Sequence, residues 1–186
     1  APTSPVLSRG DTLNRPTITI EFLAVSPEVI SVRAWHYEGY RTGEARFEKK
    51  ETTCDAVVTI TENEAVLDAG RVSVHVDRKN WGYSFWADGK LLTSSGFHNL
   101  GYVRWDKRVS SMLPQDNYMK EHEYTPYMTQ DLLLAPGENV YGFGERFTAF
   151  VKNGQAVETW NEDGGTASQV AYKNIPFYMT NRGYGV

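Results

Sequence analysis

Residues 71–76 read Arg71-Val72-Ser73-Val74-His75-Val76, where branched apolar side chains alternate with polar ones. Successive strand residues point to opposite faces, so this period of two puts Val72, Val74 and Val76 on one face and Ser73 and His75 on the other. His75 is thereby expected to be an exposed strand residue rather than a ligand. The same period runs through Thr17–Phe22 and Val29–Trp35, with Ser26-Pro27 as the turn between them. Ala56–Thr61, Ala65–Asp68 and Trp81–Trp86 read as further strands. Asp88-Gly89, just before Leu91, signals a hairpin, because a type I′ turn needs positive φ at both central positions. Asp68-Ala69-Gly70 reads as a second tight reversal. Pro136-Gly137 is a turn between the strand-like runs Met128–Leu134 and Val140–Phe143. No stretch keeps a helical period over a useful length. Strands spaced about eight to twelve residues apart, with turn signals between them, predict an all-β chain folded as an antiparallel β-sandwich.

Around that framework, residues 1–16 are rich in Pro, Ser and Thr and read as an N-terminal arm, with the β-sandwich domain over 17–186. Within it, 145–171 reads as one long loop, and Asn99–Glu123 as a polar connection with one or two short strands. A chain of 186 residues is long enough for one large domain with a proper core, or two small ones. Net charge is −4 and no block of Lys and Arg occurs, which argues against nucleic acid as a partner. No apolar run reaches the length of a membrane span, so no membrane partner is indicated. The aromatic share of 13% suits strand packing, and it also suits carbohydrate surfaces. Cys54 is alone and reads as a small buried apolar residue. The four His residues (36, 75, 98, 122) show no ligand spacing, so no metal site is indicated. The start Ala1-Pro2-Thr3-Ser4-Pro5, without Met, fits a mature end left by removal of a signal or pro-segment and hence a secreted protein. An artificial boundary would read the same way.

The carboxylates are mostly unremarked. Glu44, Glu48, Glu51, Glu62 and Glu64 sit among polar residues and read as a solvated face. Glu121 and Glu123 alternate on a strand-like run and share a face, with no convergent partner. A retaining glycosidase needs two carboxyl groups roughly 5 Å apart, and the sequence offers no such pair. There is no Gly-x-Ser-x-Gly elbow, phosphate loop or His-Glu-x-x-His. The segment from Tyr141 onward differs. Gly142 and Gly144 bracket Phe143, which suits close packing or unusual backbone angles. Glu145-Arg146 follows and is expected to pair at the base of the loop. Trp160-Asn161-Glu162-Asp163-Gly164-Gly165-Thr166 then gathers an aromatic, an amide, two acids and two glycines into one short run. Asn and Asp offer acceptors for sugar hydroxyls and Trp offers a stacking face. The plainer reading, an Asx turn closing a surface loop, is the commoner one for such a pattern.

These residues closely resemble glycoside hydrolase family 31, especially its α-xylosidase branch. The resemblance is carried by YGFGERFTAF at Tyr141–Phe150, VETWNEDGGT at Val157–Thr166 and YKNIPFYMTNRGYGV at Tyr172–Val186, nearly continuous over about 46 residues. Upstream, Val32–Gly39 resembles the family's "VR-x-x-H-x-x-G" pattern more loosely. The resemblance implies an N-terminal β-sandwich that precedes a catalytic (β/α)₈ barrel, with nucleophile and acid/base in the barrel and no catalytic residue in these 186 positions. It implies a loop over the active-site mouth whose "Asn-x-Asp" acid contacts substrate, here Asn161-Glu162-Asp163. Many members of the family carry Arg where this chain has Glu162. Asp163 is thus the leading candidate for substrate binding, followed by Trp160 and Thr166. Trp160 is read as either a buried loop anchor or a sugar platform, the anchor being favoured. Gly142, Gly144, Glu145 and Arg146 are assigned to the structural base of the loop. The implied activity is retaining exo-hydrolysis, releasing α-linked xylose from non-reducing ends of xyloglucan-type oligosaccharides. It would need no metal or cofactor. The alternatives are an α-glucosidase of the same family and a non-catalytic carbohydrate-binding β-sandwich. The implied partners are the barrel portion of the same precursor, in the same or a separate chain, and an oligosaccharide substrate, with a homo-oligomer left open.

Overall fold

The alternation at 71–76 folds as a central strand of an antiparallel sheet. The structure is a computed structural model that describes residues 6–13, 16–36, 54–106, 124–166 and 168–186. Glu44, Glu48, Glu51, Glu121, Glu123 and His122 lie outside the described residues, as do the end of the Val32–Gly39 pattern and most of the 99–123 connection. The described part of the arm contains a single 3-10 turn, Arg9–Thr12. Everything else that is regular among the described residues is β, so the fold is all-β with antiparallel sheets, as the periodicity predicts. The chain divides into two compact units, 1–133 and 134–186.

In the first unit, Thr19–Ser26 (β1) and Val29–Trp35 (β2) form a hairpin. Val57–Ile60 (β3), Glu64–Asp68 (β4), Val72–Asp77 (β5), Gly82–Ala87 (β6) and Lys90–Ser95 (β7) form a five-stranded meander in chain order. Leu100–Asp106 (β8) pairs with Tyr124–Gln130 (β9). Directly opposed residues share a face, so Leu67, Val74 and Phe85 line up on one side of the meander. Val74 is 1% exposed. The β1–β2 hairpin lies on this side: the Phe22 ring meets Tyr83 edge-on at 5.1 Å, and Tyr83 meets Phe85 at 5.8 Å. Each such aromatic pair adds about 0.5–1.5 kcal/mol beyond the area it buries. The backbone N–H groups of Arg71 and Val72 both donate to the Pro27 carbonyl, at 2.9 and 3.1 Å, tying the β1–β2 turn to the β4–β5 turn. The β6–β7 turn has Asp88 at φ 50° and Gly89 at φ 72°, the conformation that the Asp-Gly pair predicts.

Three expectations need correction here. Trp81 has φ 57° and belongs to the preceding turn, so β6 starts at Gly82. The Met128–Leu134 run is displaced: its strand is Tyr124–Gln130, set by pairing with β8. Beyond it the Leu133 N–H donates to the Ser94 carbonyl at 2.9 Å, and the Leu133 carbonyl accepts from the Thr93 hydroxyl at 2.9 Å. His75 is half-buried rather than exposed. Its Nδ1 lies 3.0 Å from a Glu64 carboxylate oxygen, its Nε2 3.2 Å from the Ser73 hydroxyl, and its ring 5.9 Å from that of Trp86. The sheet's outer face is thus a hydrogen-bonded polar strip. Cys54, expected to be buried, is also only half-buried.

The second unit holds only short strands, Val140–Gly142 (β10) and Tyr178–Thr180 (β11), paired antiparallel. The chain after β11 turns back, and Tyr178 and Val186 exchange two backbone hydrogen bonds of 2.8 Å each. Side chains supplement the scattered backbone bonds, such as that from the Lys152 N–H to the Val140 carbonyl at 2.8 Å. The Val140 N–H donates to the Asn153 side-chain oxygen at 2.8 Å, while the Asn153 amide donates to the Glu138 carbonyl at 2.8 Å. One asparagine thus does what a neighbouring strand would do.

Candidate functional site

Three backbone positions in a row, Gly142, Phe143 and Gly144, have positive φ (122°, 68° and 87°), and they break β10 and redirect the chain into the long loop. Gly144 is required by space as well as angle. A Cβ there would collide with the Lys173 carbonyl and lie 2.9 Å from the Ile175 nitrogen. The close approach lets the Glu145 N–H donate to the Lys173 carbonyl at 3.1 Å, and the Phe143 N–H to the Phe177 carbonyl at 2.9 Å. The outgoing and returning arms of the loop therefore start in register.

Glu145 and Arg146 do not pair with each other, contrary to expectation. Glu145 forms an exposed ion pair with Lys173 at 3.1 Å. Arg146 turns inward and donates to four acceptors. Its Nε reaches the Phe143 carbonyl at 3.1 Å, one terminal nitrogen reaches the Gln169 carbonyl at 3.2 Å, and the other reaches the Glu158 carbonyl at 2.5 Å and the Asn174 side-chain oxygen. The physical reason is demand: carbonyls that have no ladder partner need donors, and a guanidinium has five in a fixed plane. Asn174, which the sequence did not single out, is the second centre. Its amide nitrogen is shared among the Trp160 carbonyl at 2.6 Å, the Ala171 carbonyl at 2.5 Å and the Asn161 side-chain oxygen at 3.0 Å. An asparagine with no apolar period around it carries no signal of such a role.

Above this base, Asn161 and Ala171 form an isolated bridge, with the Glu162 N–H donating to the Ala171 carbonyl at 3.0 Å. Asp163 is exposed, and one carboxylate oxygen accepts the Gly165 N–H at 3.2 Å. This is the Asx turn of the plainer reading. The other oxygen has no hydrogen-bond partner among the described residues. Gly164 is hemmed in by Ser168 and Val170, so a Cβ would clash there, while Gly165 has φ 60°. Thr166 is exposed beside them. Trp160 is 69% exposed, so it is not an internal anchor of this chain as favoured above; only its carbonyl is pinned. The loop therefore presents an indole face and a carboxylate to solvent from a base fixed by hydrogen bonds. That combination suits a sugar, with hydroxyls for the carboxylate and an apolar ring face for the indole. Among the described residues no three His, Cys, Asp or Glu side chains converge as metal ligands.

The family model for the glycosyl hydrolase 31 N-terminal galactose mutarotase-like domain matches residues 18–186. The chain is 39% identical over 189 residues to α-xylosidase XylQ of Lactiplantibacillus pentosus, covering all of this chain and 22% of that protein. It is 35% identical over 187 residues to an α-xylosidase of Emericella nidulans, covering 96% of this chain and 24% of that one. Among solved structures, a glycoside hydrolase 31 dextranase of Flavobacterium johnsoniae superposes with a TM-score of 0.63 at 19% identity, over 93% of this chain and 20% of that chain. The last likeness concerns the fold alone. The chain thus spans about a quarter or less of the length of these relatives. With the family model covering nearly all of it, the chain belongs to glycoside hydrolase family 31, as its N-terminal domain.

Proposed function

We propose that this domain serves an exo-acting α-xylosidase, removing α-xylosyl units from the non-reducing ends of xyloglucan-type oligosaccharides by retaining double displacement. The observation that carries the reading is identity of 39% and 35% to two proteins named α-xylosidase, across essentially the whole chain. In this reading a catalytic barrel elsewhere in the protein supplies the nucleophile and the acid/base, two carboxyl groups about 5 Å apart. The domain's own contribution is the Asp163 loop at the edge of the substrate pocket. Its free carboxylate oxygen accepts a sugar hydroxyl, and Trp160 and Thr166 line the approach. A charged hydrogen bond of this kind is worth about 1.5–3 kcal/mol once water is excluded. That is roughly ten- to hundred-fold in kcat/KM.

An α-glucosidase of the same family is the competing reading. The test is hydrolysis of p-nitrophenyl α-xyloside and α-glucoside by the full-length enzyme. Higher kcat/KM on the xyloside is expected, and preference for the glucoside overturns the α-xylosidase assignment. Residues 1–186 alone should show no turnover on either substrate. Turnover by them would place the carboxylate pair inside this domain.

A further inference from the structure

We propose that Arg146 and Asn174 are positioning residues that set the direction of Asp163, and that they influence catalysis only through it. The proposal rests on the reading of Asp163 as a substrate contact. Above the backbone bonds at the base, from Glu145 to Lys173 and from Phe143 to Phe177, the two arms share one backbone bridge among the described residues, at Asn161 and Ala171, and one bridge fixes proximity but not orientation. Orientation comes from the side chains below. Arg146 joins Glu158 on the outgoing arm to Gln169 on the returning arm. It also holds the Asn174 side-chain oxygen, which fixes the orientation of the Asn174 amide. That amide then grips Trp160 and Asn161, the residues immediately before Glu162-Asp163, and Ala171 opposite them. The Asn174 backbone N–H adds a further bond to the Asn161 side-chain oxygen at 3.2 Å. A planar, permanently charged fork thereby controls the anchor at Asn161, two residues before the carboxylate, and the Ala171 carbonyl that holds the Glu162 N–H. Displacing a substrate-contacting group by about 1 Å can cost up to roughly hundred-fold in rate, so this chain of contacts is where a specificity loop of this design is tuned.

The test is a double-mutant cycle in the full-length enzyme, comparing Asp163→Ala, Asn174→Asp and the double variant on an α-xylosyl oligosaccharide, with kcat and KM resolved. Asn174→Asp keeps the acceptor for Arg146 and removes the amide donors. It should lower kcat/KM about ten-fold and speed amide exchange at Glu162. In the Asp163→Ala background it should lower kcat/KM no further, because its effect passes through a carboxylate no longer present. Losses that multiply in the double variant would show that Asn174 acts elsewhere and overturn the proposal. So would wild-type kinetics for Asn174→Asp beside an impaired Asp163→Ala. If Asp163→Ala itself is kinetically silent, the substrate-contact reading falls and the positioning role with it. If Asn174→Asp does not fold, Arg146→Lys takes its place in the cycle, since it keeps the charge but cannot serve four acceptors in one plane. Failure of both to fold would mark the pair as a folding element and sink the proposal.

Discussion

In the first unit each strand of the five-stranded meander finds its partners in the backbone of the next, from Val57 opposite Asp68 to Ala87 opposite Lys90. The second unit has two three-residue strands and supplements its scattered backbone bonds with side chains: Asn153 beside Val140, Asn181 beside Asn139, Arg146 and Asn174 beneath the loop. A ladder distributes stability over many equivalent bonds, none of them specific to a side chain. A side-chain scaffold concentrates it in a few residue identities, and losing one leaves several carbonyls or N–H groups without protein partners at once. The first unit should therefore tolerate substitution broadly, and the second should fail at single positions.

Gly144→Ala is the most damaging way to probe that contrast. It combines a collision at the Lys173 carbonyl with a left-handed backbone angle and should cost about 3 kcal/mol or more. By hydrogen exchange on the full-length protein, amides of 140–186 should lose about hundred-fold protection while those of β5 and β6 keep theirs. Equal loss in both units would abolish the distinction.

Glu138 gives an intermediate effect with a pH signature. Its side chain is buried, with residue exposure of 3%. Burial works to raise its pKa, but the Tyr184 hydroxyl, the Ala135 N–H, the Thr180 hydroxyl and the charge of Arg182 together outweigh burial and hold the carboxyl below its ordinary value. A depressed folded pKa means that the stabilisation is present above the ordinary glutamate range and is lost as pH falls through the folded value. Glu138→Gln should be less stable than wild type at pH 7, by about 1–3 kcal/mol, with a shallower loss in acid. Parallel melting curves from pH 7 down to pH 3 would refute the assignment.

The smallest effect belongs to the first unit. Val57, Val58 and Ile60 are all exposed on β3, the edge of the described sheet. Val58→Lys should change stability by no more than about 0.5 kcal/mol while reducing self-association seen by light scattering, since charge on an edge strand discourages pairing between copies. A large destabilisation would show that this edge is packed in the full-length protein.

The same contrast decides what the sequence revealed. Val72, Val74 and Val76 announce their strand because ladder bonding leaves burial as the only constraint on side chains, and burial repeats every second residue. Asp88-Gly89 announces its turn because few residue pairs accept two positive φ angles. Arg146 was legible as structural but not by mechanism: its acceptors lie 3 to 28 positions away, and the neighbouring Glu145 is the obvious but wrong partner. Asn174 left no trace, because a polar residue whose role is to satisfy distant carbonyls looks like any surface asparagine. Trp160 misled in the other direction, since a large aromatic suggests an interior that this loop does not possess. Asp163 is singled out by the resemblance to a family, not by its own chemistry.

The bridge between Asn161 and Ala171 also bears on how such loops change over evolutionary time. It closes a short excursion whose ends are already tied, so residues 163–168 can be lengthened, shortened or rewritten without disturbing the base. Doubling the length of a closed loop costs only about 0.6 kcal/mol. The tip can therefore be exchanged between lineages as a cassette while the framework beneath it stays fixed.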